Sequence, residues 1–238
     1  MTLMAYHCGI EKKVPLLEKE LETITNSTLR LMALAGAALE KSVCALRDRD
    51  AEAARQVLAD DERINCLTDA ITADCLSFIA AFQPVGRDLR SVTSMMLMAR
   101  DIERIGDYGK NIASTAIKLV EQEPLKPLVD IPQMAETVGT MLEQCADALS
   151  SNCAPLAQEV FCLDDRVDTL EKQILRDLII LMIENPERIE RAWRLLDIAR
   201  ILERAGDHAT NIAEYVYFIC CGKHIKASHQ RPPKSTED

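Results

Sequence analysis

One stretch of fifteen residues occurs twice in this chain, and that repetition limits the fold more than any other feature. Residues 99–113 read ARDIERIGDYGKNIA and residues 199–213 read ARILERAGDHATNIA, nine of the fifteen positions being identical at an offset of 100. Around each copy the apolar residues alternate steps of three and four. Met95, Met98, Ile102, Ile105, Gly109, Ile112 and Ala116 form one series; Leu195, Ile198, Leu202, Ala205, Ala209, Ile212 and Val216 form the other. That spacing is the buried stripe of an amphipathic helix. One residue to the side of each stripe runs a polar row, Glu103–Asp107–Asn111 and Glu203–Asp207–Asn211. Residues four apart are neighbours on a helix, with Cβ atoms about 5–6 Å apart, and like charges there cost about 0.2–0.5 kcal/mol. Gly106 and Gly206 add about 0.5–1 kcal/mol each relative to alanine.

Two readings of these rows stand side by side. The rows are solvated faces balanced by Arg100, Arg104, Arg200 and Arg204, with glycine admitting a close neighbour; or they are oxygen ligands for a hard or borderline cation. The same register in two copies favours the second.

The remaining residues repeat as well. Asp61 matches Asp164 at an offset of 103, and Pro84 matches Pro186 at 102. Helices are predicted over residues 14–46, 51–82 and 88–120, then over 133–149, 154–183 and 187–219. Asp50 is the expected N-cap of the second helix and Gly222 the expected stop of the last. The breaks fall at Gln83–Pro84–Val85–Gly86 and Asn185–Pro186. No strand is indicated. An amphipathic helix cannot bury its stripe alone, so the expected fold is all-α: two tandem, related antiparallel three-helix bundles, spectrin-repeat-like in layout. The bundles are expected at residues 10–123 and 133–222, after a short lead-in, with a flexible tail at 223–238. Three prolines in 123–132 mark a linker, across which few core contacts are expected.

The second helices carry acidic marks of their own, Asp164 and Asp168 in one half, Asp61 and Asn65 in the other. If helices two and three of each half lie side by side, each half turns one acidic row towards another, a familiar way to hold metals in a bundle. Pairing with Arg63 and Arg166 on a wet face is the alternative. Asn65 is a poorer ligand than a carboxylate.

Composition narrows the function classes. A net charge of −10 provides no basic footprint for nucleic acid. Nine cysteines without a C-x-x-C pair read as reduced thiols acting as small hydrophobes, which fits the cytoplasm. The longest wholly apolar run, Leu178–Ile183, is far below the roughly 20 residues of a spanning helix, so no membrane insertion is expected. There is no Gly-rich phosphate loop, no G-x-S-x-G and no H-E-x-x-H, so the chain does not read as an enzyme. Two rivals stay open, a carboxylate-bridged di-metal enzyme and a metal-buffering bundle. The first usually needs Glu-x-x-His on core helices, which this sequence lacks.

QPVGRDLR (83–90), ERIGDYGKNIA (103–113) and ERAGDHATNIAEYVYFICCGK (203–223) resemble the signatures of the PhoU family, in the family's order. The resemblance implies six helices in two bundles and a multinuclear iron or zinc cluster, other divalent cations also being conceivable. By motif, the implied ligands are Glu103, Asp107, Glu203, Asp207, Asp164 and Asp168, with Asp61 as a weaker member. Asn65, and Tyr108 where the second copy has His208, set the two sites apart. For function the resemblance implies regulation. Such a protein restrains phosphate-starvation signalling and phosphate uptake by linking a phosphate ABC transporter to a sensor histidine kinase. It would be cytoplasmic, held at the membrane through its partners, and homodimeric.

Overall fold

A computed structural model of the chain describes residues 4–125 and 128–225. Six long helices follow one another: α1 (Met4–Asp48), α2 (Ala51–Phe82), α3 (Gly86–Val120), α4 (Asp130–Ser151), α5 (Ala154–Glu184) and α6 (Ile189–Cys221), with a 3₁₀ turn at Pro186–Arg188. Among the described residues there is no strand. α1–α3 and α4–α6 are the two antiparallel three-helix bundles. The start of α1 at Met4 replaces the expected lead-in, and α4 begins three residues early, with Pro132 in its first turn. The tail expected over 223–238 falls, from residue 226 on, outside the described residues.

The turns repeat like the helices. Asp50 caps α2 as expected, its Oδ1 accepting from Glu52 and Ala53 N–H, each at 2.9 Å. Arg49 and Asn152, equivalent at the offset of 103, both sit in the left-handed region, with φ of 59° and 52°. Arg49 also donates to the carbonyls of Val120 and Gln122, each at 2.6 Å, which ties this turn to the end of α3. Gln83, at φ 48°, closes α2, and Gly222, at φ 66°, closes α6 with its N–H on Phe218 O at 2.8 Å.

Both predicted stripes are buried along their length. Gly109 lets α3 reach the backbone of α1: a Cβ there would stand 2.9 Å from Ala38 C and 3.0 Å from Leu39 N. The bundles are not separated by the linker, contrary to expectation. α3 packs on α6 and α1 on α4, and one continuous core draws on all six helices. Each bundle therefore buries a face of two helices against the other, with α2 and α5 on the outside.

α2 contains a window apolar enough, by length and composition, for a membrane span, although no long unbroken apolar run marks it. Its residues Ala54, Val57, Ile64, Ile71, Cys75 and Phe78 face the bundle core. Eight of the nine cysteines, those from Cys44 onward, are free thiols. Burial pushes the Cys75 thiol up to about 11 and moves the Cys145 thiol in the same direction.

Candidate functional site

The acidic residues singled out in the sequence lie along the α2–α3 and α5–α6 pairs, and the two pairs are built differently. In the first half Asp61, only 6% exposed, accepts from Lys110 Nζ on α3 and from Asn65 Nδ2 at 3.4 Å. Lys110 stands one residue before the last member of the motif row. The Asp61 carboxylate raises its ammonium pKa above the usual lysine value, so the cation is held in place. Glu103 and Asp107, both half-buried, lie 3.6 Å from the exposed Arg100 and Arg104, pairs that water on the arginine side keeps weak. Arg63 meets Asp60 at 3.6 Å rather than Asp61. In the first half, then, Lys110 and Asn65 hold Asp61, while Glu103 and Asp107 keep to arginines of their own helix.

The second half has Thr210 where Lys110 stands, and Asp168 where Asn65 stands. Its arginines turn towards aromatic faces: Arg204 lies 5.0 Å from the Tyr108 ring centroid and Arg200 lies 5.6 Å from that of Trp193. Gly206 brings α6 against Asp164, whose Oδ1 would be 3.2 Å from an added Cβ. Lys172 reaches Asp168 at 3.3 Å from the edge of the set. Burial, then the charges of Asp207, Asp168, Glu171 and Asp164, hold the Glu203 carboxyl above the usual range. Such a group gains from a neighbouring positive charge.

These carboxylates suit a hard or borderline cation chemically in the second half. The first half suits it poorly, because Lys110 already occupies the Asp61 carboxylate. Among the described residues no three His, Cys, Asp or Glu side chains close into a ligand cage.

A third polar group lies where the bundles meet. His208 Nδ1 is 2.6 Å from Asp101 Oδ1, and His208 Nε2 is 3.2 Å from the Tyr108 hydroxyl. Asn211 Nδ2 donates to the same Asp101 oxygen at 3.4 Å. Burial, then Asp101, pushes the Tyr215 hydroxyl up. Tyr108 and His208 are repeat equivalents, so an approximate two-fold axis relating the halves passes between them. By spacing alone this pair is a mismatch between two sites, whereas in the fold it is one contact. Asp101 carried no signal at all, since it lies off both the stripe and the motif row.

A protein-family model described as PhoU domain matches residues 28–116 and 131–216, one copy in each half. The chain belongs to the PhoU family. A PhoU homolog from Aquifex aeolicus, described as a phosphate-specific transport system accessory protein, is 36% identical over 211 residues, spanning 89% of this chain and 96% of that one. A homolog of the same description from Caulobacter vibrioides is 34% identical, spanning 90% and 93%. The crystal structure of PhoU from Pseudomonas aeruginosa superposes with a TM-score of 0.83 at 35% identity, covering 87% of this chain and 99% of its own. A PhoU structure from Streptococcus pneumoniae, described as a phosphate transport system regulatory protein, gives 0.81 at 27% identity, covering 88% and 99%. The PhoU relatives are thus accessory proteins of phosphate transport, and the six-helix fold is shared along nearly the whole chain.

Proposed function

We propose that this chain restrains phosphate-starvation signalling and phosphate uptake, linking a phosphate ABC transporter to a sensor histidine kinase. It acts as a cytoplasmic homodimer that reaches the membrane only through these partners, by binding rather than by catalysis. The observation that carries this reading is the match of both repeats to PhoU domains, in a chain whose relatives bear the name of a phosphate transport accessory protein. The test is deletion of its gene. Phosphate-responsive promoters should switch on in phosphate-rich medium, and a copy of the chain should silence them. Promoters that stay silent, with normal uptake, would overturn it.

A metal belongs to this reading, iron or zinc before other divalent cations. Glu203, Asp207, Asp164 and Asp168 would hold it, with Glu103, Asp107 and Asp61 as a weaker set. The bound cation would supply positive charge between α5 and α6. The support is the concentration of carboxylates that holds Glu203 above its usual range. Elemental analysis of protein purified without an affinity tag tests it. Asp207→Ala and Glu203→Ala should lower metal content where Arg204→Ala does not; equal content in all three returns the row to a solvated face. Metal loss with intact promoter control would instead favour a metal buffer.

A further inference from the structure

Two glycines of this chain have no reason, within the fold, to be glycine. Gly86 and Gly222 stand at positive φ, of 58° and 66°, and Gly106, Gly109 and Gly206 each meet a neighbouring helix at 3.2 Å or less from an added Cβ. Gly36 and Gly139 do neither. An added Cβ at Gly139 meets nothing within 4 Å, and one at Gly36 meets only Leu142 Cδ1, at an ordinary 3.6 Å. Both lie inside helices, where glycine costs about 0.5–1 kcal/mol relative to alanine. They are repeat equivalents at the offset of 103, and so are the glutamates four residues on, Glu40 and Glu143. G-x-x-L-E thus occurs in α1 and again in α4. Its leucines, Leu39 and Leu142, enter the core, whereas the glutamates are exposed.

Both glycines and both glutamates line one groove, between α1 and α4, of about 930 Å³. From Leu29 to Arg47 on α1 it runs about 27 Å. Ala33, Ala37, Ala135 and Ala146 line it beside the glycines, so a foreign helix backbone can come close. The rim is acidic. Glu40, Glu136 and Glu143 are exposed and have no ion-pair partner among the described residues. Arg47 is the one lining cation among those residues, and Asp48 holds its guanidinium by two bonds of 2.7 and 2.8 Å. Arg30 and Lys41, also exposed on α1, lie outside the lining. The α4 wall has no cation at all, since no Lys, Arg or His occurs from Leu128 to Asp165. Glu136 and Glu143 stand two turns apart on one side of α4. Such a rim repels anionic lipid and attracts a helix with Lys or Arg at heptad spacing. The same groove on a second copy carries the same charges, so two grooves would repel each other.

We propose that the α1–α4 groove docks a basic amphipathic helix of a protein partner. Its apolar face lies on Gly36 and Gly139, and its Lys or Arg side chains meet Glu40, Glu136 and Glu143. This rests on the partner binding in the functional reading above, and assigns it a surface. The surface is separate from the carboxylates of the α2–α3 and α5–α6 pairs, which stand on other helices.

Cys44, a half-buried free thiol in the groove, reports occupancy, and the exposed Cys66 of α2, outside it, is the control. The probe is a helical peptide of about 18 residues, the length of the groove, with a leucine–alanine face and lysines at heptad spacing. A peptide with glutamate for lysine is its counterpart. At about ten times the Kd of the lysine peptide, alkylation of Cys44 by iodoacetamide in the full chain should slow about tenfold, with Cys66 unchanged. Gly139→Leu, and Glu136→Lys with Glu143→Lys, should each weaken the peptide at least about tenfold without altering the circular dichroism spectrum. Equal protection by the glutamate peptide, binding that leaves Cys44 reactive, or binding indifferent to both variants overturns the groove. Protection of Cys44 that grows with the concentration of the chain alone would assign it to a second copy instead. In a strain lacking the gene, the chain with Glu136→Lys and Glu143→Lys should fail to silence phosphate-responsive promoters. Normal silencing by it overturns the groove as the partner surface and leaves the regulatory reading intact. Promoters that stay silent without any copy remove that reading, and the peptide alone then decides the groove.

Discussion

The two halves start from the same row of Glu, Asp and Asn and arrive at different electrostatics. In the first, Lys110 enters the acidic set from α3 and binds Asp61, while Arg100 and Arg104 stay beside Glu103 and Asp107. In the second, Thr210 replaces the lysine, and Arg200 and Arg204 lean on Trp193 and Tyr108. Neighbouring acids then hold Glu203 above its ordinary range. A motif row thus sets where carboxylates stand along a helix. What those carboxylates experience is decided by residues one step off the row and by the helix opposite.

The backbone should show the largest difference between halves. Gly109→Ala should cost about 1–3 kcal/mol, because the Ala38–Leu39 backbone has no side-chain rotamer with which to yield. The melting temperature should fall by roughly 2–10 °C. The second half already carries Ala209 at that position, and Gly139→Ala, with nothing within 4 Å of the added carbon, should be neutral or stabilising. Equal thermal effects in the two variants would mean that α3 and α1 are not in such close contact.

Removing the lysine comes next. Lys110→Ala leaves a carboxylate that is 6% exposed without its cation and should cost about 1 kcal/mol, the low end because water reaches Lys110. Lys110→Thr, the residue of the second half, should instead raise zinc binding by the first half, read as a higher stoichiometry in calorimetry. An unchanged stoichiometry would show that Asn65, not the lysine, makes the first set a poor one.

The smallest effect concerns Glu203. Its carboxyl holds a proton more tightly in the fold than in the unfolded chain. It therefore favours the fold below the ordinary carboxylate range, and that contribution is lost as pH rises through the raised value. In the metal-free protein Glu203→Gln should melt about 1–2 °C higher than the parent at neutral pH, on a like-charge cost of about 0.2–0.5 kcal/mol per pair, and should lose this advantage near pH 4. Glu103→Gln, beside Arg100, is the control and should show no such gain. A gain in both variants would erase the distinction between the halves.

Most of the fold was legible because it depends on local periodicity. The α3 and α6 stripes, the breaks at Pro84 and Pro186 and the Asp50 cap each follow from spacing within one segment. The seam between bundles was not legible. Whether Ile201 and Tyr108 are buried depends on a second bundle, and a Pro-rich stretch suggested separation where α3 and α6 in fact pack. The candidate site falls between. Its carboxylates were visible as a row, but Lys110 looked like any exposed lysine until α2 placed Asp61 beside it. His208 was noticed for the wrong reason, as a difference between sites rather than a partner of Tyr108.

The axis between Tyr108 and His208 says something about joining two repeats in one chain. In an isologous pair of identical subunits, the position on the two-fold axis faces its own copy, so both sides carry the same side chain. Two imidazoles or two phenols there must decide between them which gives a proton and which takes it. A covalent link lifts that constraint: one repeat supplies a hydroxyl, the other a ring nitrogen, and Asp101 anchors the far side of the ring. Fusion makes the centre of symmetry the one place where the repeats are free to be complementary instead of alike.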